Sequence, residues 1–283
     1  MVSQAFQTFL NHVPDGATIT WPCVQPGSAF GRRDSSGLTL RRPQANQVHI
    51  WAAWLDASPS FRAAYQKTLS SPELERASRF HFEEHRNRYI VAHGWLRQLL
   101  GAYLGLPAAA LDFDHATKGK PALAGPAKAS ELQFNLAHSD NLSLVAVTHR
   151  IPVGVDVERV RRLDDAEDLV ARFFSKQETS RFRSLPAGQK SAAFFNLWTR
   201  KEAWLKATGE GITHLLGQVE VSFLAGEPAR LLSLPGHFPD ASNWSLCDLT
   251  PAPGFAAAFA LAAPGAEPEC RAWDHELTGQ RYE

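Results

Sequence analysis

Asp156 and Glu158 stand one residue apart in Pro152-Val153-Gly154-Val155-Asp156-Val157-Glu158. In a strand, side chains alternate between faces, so the three valines share one face and the two acids the other. Carboxylates held that close repel unless a cation or a proton lies between them. Oxygen ligands of this kind suit Mg²⁺, which takes one or two carboxylates, waters and phosphate oxygens. The plainer reading of this segment alone is a strand with an acidic outer face. A second pattern is Trp198, Glu202 and Lys206, spaced i, i+4 and i+8, with Lys201 beside them. On a helix these line one side. An acid between two lysines fits a metal site beside a phosphate; an exposed Glu–Lys pair that steadies the helix is the alternative.

Upstream lie residues suited to anions. Lys118-Gly119-Lys120-Pro121 puts two lysines around a glycine, with proline fixing the turn. Such a loop grips a phosphate or nucleotide, or is an ordinary polar turn. His138 ends the segment Phe134-Asn135-Leu136-Ala137-His138-Ser139, where an imidazole either meets a phosphate or is a satisfied polar residue. Arg76, Arg79, Arg86, Arg88 and Arg97 gather in the helical region before the loop. Most helical arginines face solvent, so one or two of these are expected to meet a substrate.

The elements that must carry these residues follow from periodicity. Val48–Leu55, rich in aromatic and β-branched residues, reads as a strand. Ser71-Pro72-Glu73-Leu74 reads as a helix start. A long helical pattern from Phe82 to Leu104 buries Ile90, Trp95, Leu99 and Leu100 and closes at Gly105. Leu132–Ala137 and Leu142–Val147 are predicted strands joined by a tight turn at Ser139-Asp140-Asn141. The pattern then returns: a strand at Val153–Glu158, short helices near 165–172 and 175–183, a long helix over about 189–208, and strands at Gln218–Phe223, Trp244–Asp248 and Phe255–Leu261. The expected fold class is α+β: two similar tandem lobes related by a pseudo-twofold, each a small sheet packed on a long helix. The expected division is an irregular N-terminal extension (1–45), a first lobe (46–151), a second lobe carrying the metal site (152–262) and a tail (263–283).

The totals narrow the function classes. The 283 residues are 44% hydrophobic and 20% charged, enough for a sizeable core. The formal net charge is zero, so the chain lacks the basic excess of a nucleic-acid binder, and any anion site must be local. Cys23, Cys247 and Cys270 are widely spaced and odd in number, which reads as free thiols in a reducing compartment. There is no secretory pattern and no long apolar run, so the expectation is a cytoplasmic enzyme or binding protein without a membrane partner.

Taken together, the motifs resemble the Sfp-type 4′-phosphopantetheinyl transferases. The family's order is a Gly-Lys-Pro turn, a strand ending in His-Ser, a strand with two alternating acids, a Phe-Phe helix with an acid, and a helix with Trp, Lys-Glu and a further Lys. This chain has Gly119-Lys120-Pro121, Phe134-Asn135-Leu136-Ala137-His138-Ser139, Gly154-Val155-Asp156-Val157-Glu158, Phe173-Phe174 with Glu178, and Trp198 with Lys201, Glu202 and Lys206. The resemblance covers about residues 48–262. It implies transfer of the 4′-phosphopantetheine arm of coenzyme A to a serine of an acyl, peptidyl or polyketide carrier protein, with release of 3′,5′-ADP, by a monomer. It implies Mg²⁺ held by Asp156, Glu158 and Glu202, and Lys206 and Lys201 near the pyrophosphate. It also places Lys118, Gly119, Lys120, Pro121, His138 and Arg88, and more weakly Arg76, at the adenosine end of coenzyme A. Glu178 matches an acid that would deprotonate the serine, or else join the metal. Two departures stand out: Ala137 replaces a serine before the histidine, and His85 stands where an acid is common. The carboxylates and lysines alone fit a magnesium-dependent phosphohydrolase equally well; the upstream turn and histidine favour the transferase.

Overall fold

The computed structural model describes residues 19–20, 31–34, 37–115, 119–210, 215–273 and 275. Its strands are β1 (Ile19–Thr20), β2 (Gly31–Asp34), β3 (Gly37–Leu40), β4 (Gln47–Trp54), β5 (Phe113–His115), β6 (Pro121–Leu123), β7 (Leu132–Ser139), β8 (Leu142–His149), β9 (Val153–Arg159), β10 (Glu220–Val221), β11 (Leu231–Ser233), β12 (Ser245–Thr250), β13 (Phe255–Leu261) and β14 (Glu267–Ala272). Its α-helices are α1 (Pro59–Gln66), α2 (Ser71–Ser78), α3 (Glu83–Leu104), α4 (Ala166–Phe173), α5 (Lys176–Arg183) and α6 (Ala187–Thr208).

The helix ends follow local chemistry. Glu83 and Glu84 in the first turn of α3 offset the positive end of its dipole, and Gly105, at φ 66°, closes it in the left-handed region. Gly209, at φ 74°, does the same for α6. The cap of α2 is Ser70, one residue earlier than expected. Glu73 is three residues beyond it and returns a bond to the Ser70 backbone, completing a capping box.

Two four-stranded sheets, ordered β14-β4-β8-β7 and β1-β12-β13-β9, each carry one long helix. Trp51, Ala53, Val145 and Val147 pack toward α3 with Trp95 and Leu99. Ala256, Ala258 and Ala260 pack toward α6 with Leu197 and Trp204. The remaining faces meet each other: Val48, Ile50 and Leu144 of the first sheet share a core with Val153, Val155, Val157 and Phe259 of the second. The α+β two-lobe expectation therefore holds, as helix, sheet, sheet and helix in layers.

Two expected boundaries change. The tail is not a tail: β14 returns to the first lobe and pairs in parallel with β4, from Glu267 beside Gln47 to Ala272 beside Ala52. Trp273 then enters the first core against Trp51 and Trp95. Neither strand nor tryptophan was legible, because Glu267–Ala272 mixes Glu, Pro and Arg on a sheet edge. The N-terminal extension also belongs partly to the fold. β2 and β3 form a hairpin, Leu40 is buried in the first core, and β1 adds to the edge of β12. The strand expected over 218–223 shrinks to β10, a two-residue pairing with β11.

Candidate active site

β9 and α6 approach closely enough to exclude any side chain at residue 154. A Cβ on Gly154 would lie 2.1 Å from the Ala203 carbonyl oxygen and 2.4 Å from the Ala207 nitrogen. Glycine therefore lets the strand lie on the helix backbone. Alternation then turns Asp156 and Glu158 to the face that meets Glu202 and Lys206.

Lys206 donates to Asp156 Oδ1 at 2.5 Å. Asp156 and Glu202 are 4% and 3% exposed, and Asp156 Oδ2 and Glu202 Oε1 are buried without a hydrogen-bond partner. Burial pushes the Asp156 carboxyl up to about 6 against the pull of Lys206. Burial, then the neighbouring Asp156, pushes Glu202 up to about 7. Burial also opposes the charge on Lys206, but Asp156, Glu202 and Glu158 outweigh it and raise its ammonium. Two dry acids with open oxygens ask for a cation or a proton. Their hard oxygen donors fit Mg²⁺. Glu158 is held slightly apart, its Oε2 accepting from the Ser139 hydroxyl at 2.7 Å. Among the described residues no three His, Cys, Asp or Glu side chains converge as a ready-made metal group.

Glu178 and Lys201 pair with each other inside the second lobe. Lys201 is fully buried; it donates to Glu178 Oε2 at 2.5 Å and to the Leu216 carbonyl at 2.7 Å, and lies over the Phe174 ring. Glu178 Oε2 also accepts from Ser175 N and Oε1 from Val221 N, both at 3.1 Å. Both carboxylate oxygens are thus engaged inside the second lobe, at a residue 2% exposed. Glu178 caps α5 and ties it to α6 and β10. In this arrangement the Lys201 ammonium is turned to Glu178 and the Leu216 carbonyl, away from Glu202. Trp198, one turn before Glu202, packs on Phe174 and Phe194.

The first lobe brings nitrogen groups toward the same place. His138 is exposed at the end of β7, yet the surrounding protein crowds it and lowers its imidazole, with His93, Lys206 and Arg76 adding to the effect. Arg76 is exposed, lies 5.8 Å over the Tyr89 ring, and has no carboxylate partner among the described residues. Tyr89 in turn stacks on His93 with ring centroids 4.0 Å apart. Arg88 is placed differently: its fork engages Asp56 at 2.9 Å, Asp140 at 2.8 Å and Glu84 at 2.6 Å. Three protein carboxylates already occupy the guanidinium expected to meet coenzyme A. Gly119 takes φ 87°, which explains glycine in the turn, and Pro121 opens β6. Lys120 points into the lobe joint, donating to the Val153 carbonyl at 2.9 Å and the Ala207 carbonyl at 3.4 Å; burial lowers its ammonium to about 8. Lys118 lies outside the described residues.

Ala137 faces the core between the sheets, so the serine it replaces would not reach a ligand from this strand. His93 escaped the sequence reading because a lone histidine in a helix carries no signal. Asn135 and Ser139 had one: polar side chains two residues either side of Ala137, on its face, imply buried partners.

The comparisons agree with this geometry. Residues 152–260 match the model of the 4′-phosphopantetheinyl transferase superfamily, and residues 52–150 match that of the 4′-phosphopantetheinyl transferase N-terminal domain. The chain is 43% identical over 225 residues to the 4′-phosphopantetheinyl transferase HetI of Nostoc sp., covering 80% of this chain and 92% of that protein. It is 36% identical to the putative 4′-phosphopantetheinyl transferase slr0495 of Synechocystis sp., over 61% of this chain and 69% of the relative. It is 25% identical to Sfp of Bacillus subtilis, over 59% and 72%. With two acids and a lysine where β9 meets α6, and both lobes matched in tandem, the chain belongs to the 4′-phosphopantetheinyl transferases, enzymes that move phosphopantetheine from coenzyme A to carrier proteins.

Proposed function

We propose that Asp156 and Glu202, with Glu158 as the outer member, hold Mg²⁺, and that the chain converts apo carrier proteins to the holo form with release of 3′,5′-ADP. The observation that carries this reading is the pair of unbonded buried oxygens, Asp156 Oδ2 and Glu202 Oε1. A cation there would neutralise charge on the pyrophosphate of coenzyme A. Lys206, raised in pKa by the acids and partly open to solvent, stays charged and meets the negative charge developing on the leaving phosphate. The carrier serine oxygen bonds to the phosphorus that bears pantetheine, its hydroxyl proton passes to water or to the departing phosphate, and the phosphorus–oxygen bond to 3′,5′-ADP breaks. The anhydride is already activated, so positioning and neutralisation are the main tasks.

Arg76, His93 and His138 supply the anion-binding wall for the adenosine 3′-phosphate. Arg88 keeps the Asp140 turn in place beside Ser139 through its bonds to Asp56 and Asp140. Gly119 and Pro121 shape the turn near the nucleotide, and Lys118 extends from it. The reading is of a cytoplasmic monomer acting on acyl, peptidyl or polyketide carriers, with neither nucleic acid nor membrane as partner. No helix among the described residues is long and apolar enough to cross a membrane.

The test is to incubate the protein with coenzyme A, Mg²⁺ and a panel of apo carriers, then weigh the products. A carrier that gains one phosphopantetheine arm, with 3′,5′-ADP in equal amount and no gain after chelation, supports the proposal. Cleavage of coenzyme A by water, at one rate with or without carrier, would make the chain a phosphohydrolase.

A further inference from the structure

Among the described residues β9 pairs with β13 on one edge only. Its other edge faces β7, and side chains of the first lobe fill the places a neighbouring strand would take. Lys120 donates to the Val153 carbonyl at 2.9 Å. Asn135 Oδ1 accepts from Val155 N at 2.8 Å. Ser139 Oγ accepts from Arg159 N at 3.1 Å and donates to Glu158 Oε2 at 2.7 Å. Residues 153, 155 and 159 are of one parity, the set whose backbone groups point away from β13. A buried backbone N–H or C=O left unpaired is costly, so Lys120 and Asn135 meet a need of the strand at Val153 and Val155, while Ser139 pairs the exposed end of the strand at Arg159.

The same three residues reach everything that carries the site. β9 bears Asp156 and Glu158. Lys120 also reaches the Ala207 carbonyl, next to Lys206 on α6, at 3.4 Å. Ser139 orients the Glu158 carboxylate directly. All three come from segments whose sequence pattern suggested nucleotide contacts. None of these bonds needs a ligand to form.

We propose that Lys120, Asn135 and Ser139 are positioning residues: a side-chain ladder along the open edge of β9 by which the first lobe sets the carboxylates and Lys206 of the second. Seating of the lobes and affinity for the cation are then coupled. This rests on the metal reading above, and the experiment separates the two.

The probe is Mn²⁺, followed by electron paramagnetic resonance in the presence of coenzyme A, together with amide hydrogen exchange of the full chain. Ser139→Ala removes both bonds at a partly exposed position, and Ser139→Thr keeps the hydroxyl. Ser139→Ala should weaken Mn²⁺ binding about fivefold or more and speed exchange at Arg159 by a similar factor, as for one lost hydrogen bond. Ser139→Thr should restore both. Asn135→Ala should do the same at Val155, and Lys120→Met should weaken Mn²⁺ binding. Asp156→Asn should abolish Mn²⁺ binding while Arg159 exchange stays unchanged. Unaltered Mn²⁺ affinity in Asp156→Asn overturns the metal reading alone. Wild-type Mn²⁺ affinity and Arg159 exchange in Ser139→Ala overturn the ladder, whatever Asp156→Asn shows.

Discussion

Lys206 donates to Asp156 Oδ1 at 2.5 Å, and this ion pair joins α6 to β9 while Asp156 Oδ2 stays buried and unbonded. One ammonium therefore balances part, and only part, of the charge of three nearby acids. Lys206→Met should slow phosphopantetheine transfer by about 10²–10³-fold, the scale for losing one preorganised donor to developing charge. Lys206→Arg should recover little, since a planar fork does not replace a compact ammonium in a partly buried site. Single-turnover rates check this; a rate within threefold of wild type in Lys206→Met would remove it from the mechanism.

Glu178→Gln should act on stability. Losing one partner of a buried pair leaves Lys201 uncompensated and costs about 3–5 kcal/mol. Below its melting range the variant should transfer within a few-fold of wild type. Replacing both residues with methionine should recover much of the loss. Urea melts and rates on the same samples decide the matter; a fully folded Glu178→Gln slowed 10²-fold would return Glu178 to the chemistry.

Arg76 and Arg88 should separate cleanly. Arg76 has an open guanidinium, whereas Arg88 is held by Asp56, Asp140 and Glu84. Arg76→Ala should weaken coenzyme A by roughly 10- to 150-fold, and its analogue without the 3′-phosphate much less. Arg88→Ala should leave the ratio of the two affinities unchanged. Calorimetric titration with both ligands measures that ratio, and a larger selective loss in Arg88→Ala would reverse the assignment.

His49 sets part of the acid stability. It is buried on β4 against the Tyr103 hydroxyl at 2.7 Å, and burial, then Arg271, lowers it to about 3. The unfolded imidazole takes a proton near 6.5, well before the folded one. Its contribution is therefore complete above pH 6.5 and lost progressively as pH falls toward 3, by at most about 1.4 kcal/mol per unit. His49→Gln should flatten the stability curve between pH 6.5 and 5 in denaturant melts. An unchanged slope would show that His49 does not set this limb.

The parts of this molecule that were legible in sequence are those where one residue type answers one local demand. Alternating valines and acids gave β9 its two faces, and Gly105 and Gly209 marked the ends of both long helices. Asp156, Glu202 and Lys206 came together because strand and helix spacing fixes which face each occupies. What sequence does not carry depends on partners far along the chain. Lys201 neighbours Glu202 but points to Glu178, and only the packing of α5 on α6 decides that. Arg88 gives no sign in sequence of its carboxylate partners, and it is the β7–β8 turn that places Asp140 beside it. The return of β14 to β4 spans more than two hundred residues, and no local pattern encodes such a pairing.

The open oxygens of Asp156 and Glu202 are proposed to hold the metal that transfer requires. The direct measurement is the transfer rate to an apo carrier against Mg²⁺ concentration, for wild type and Glu202→Ala, with folding verified by a cooperative melt. Wild type should show saturable activation, and the variant should fold yet transfer nothing at limiting Mg²⁺. Full transfer by Glu202→Ala at the same low Mg²⁺ would contradict it.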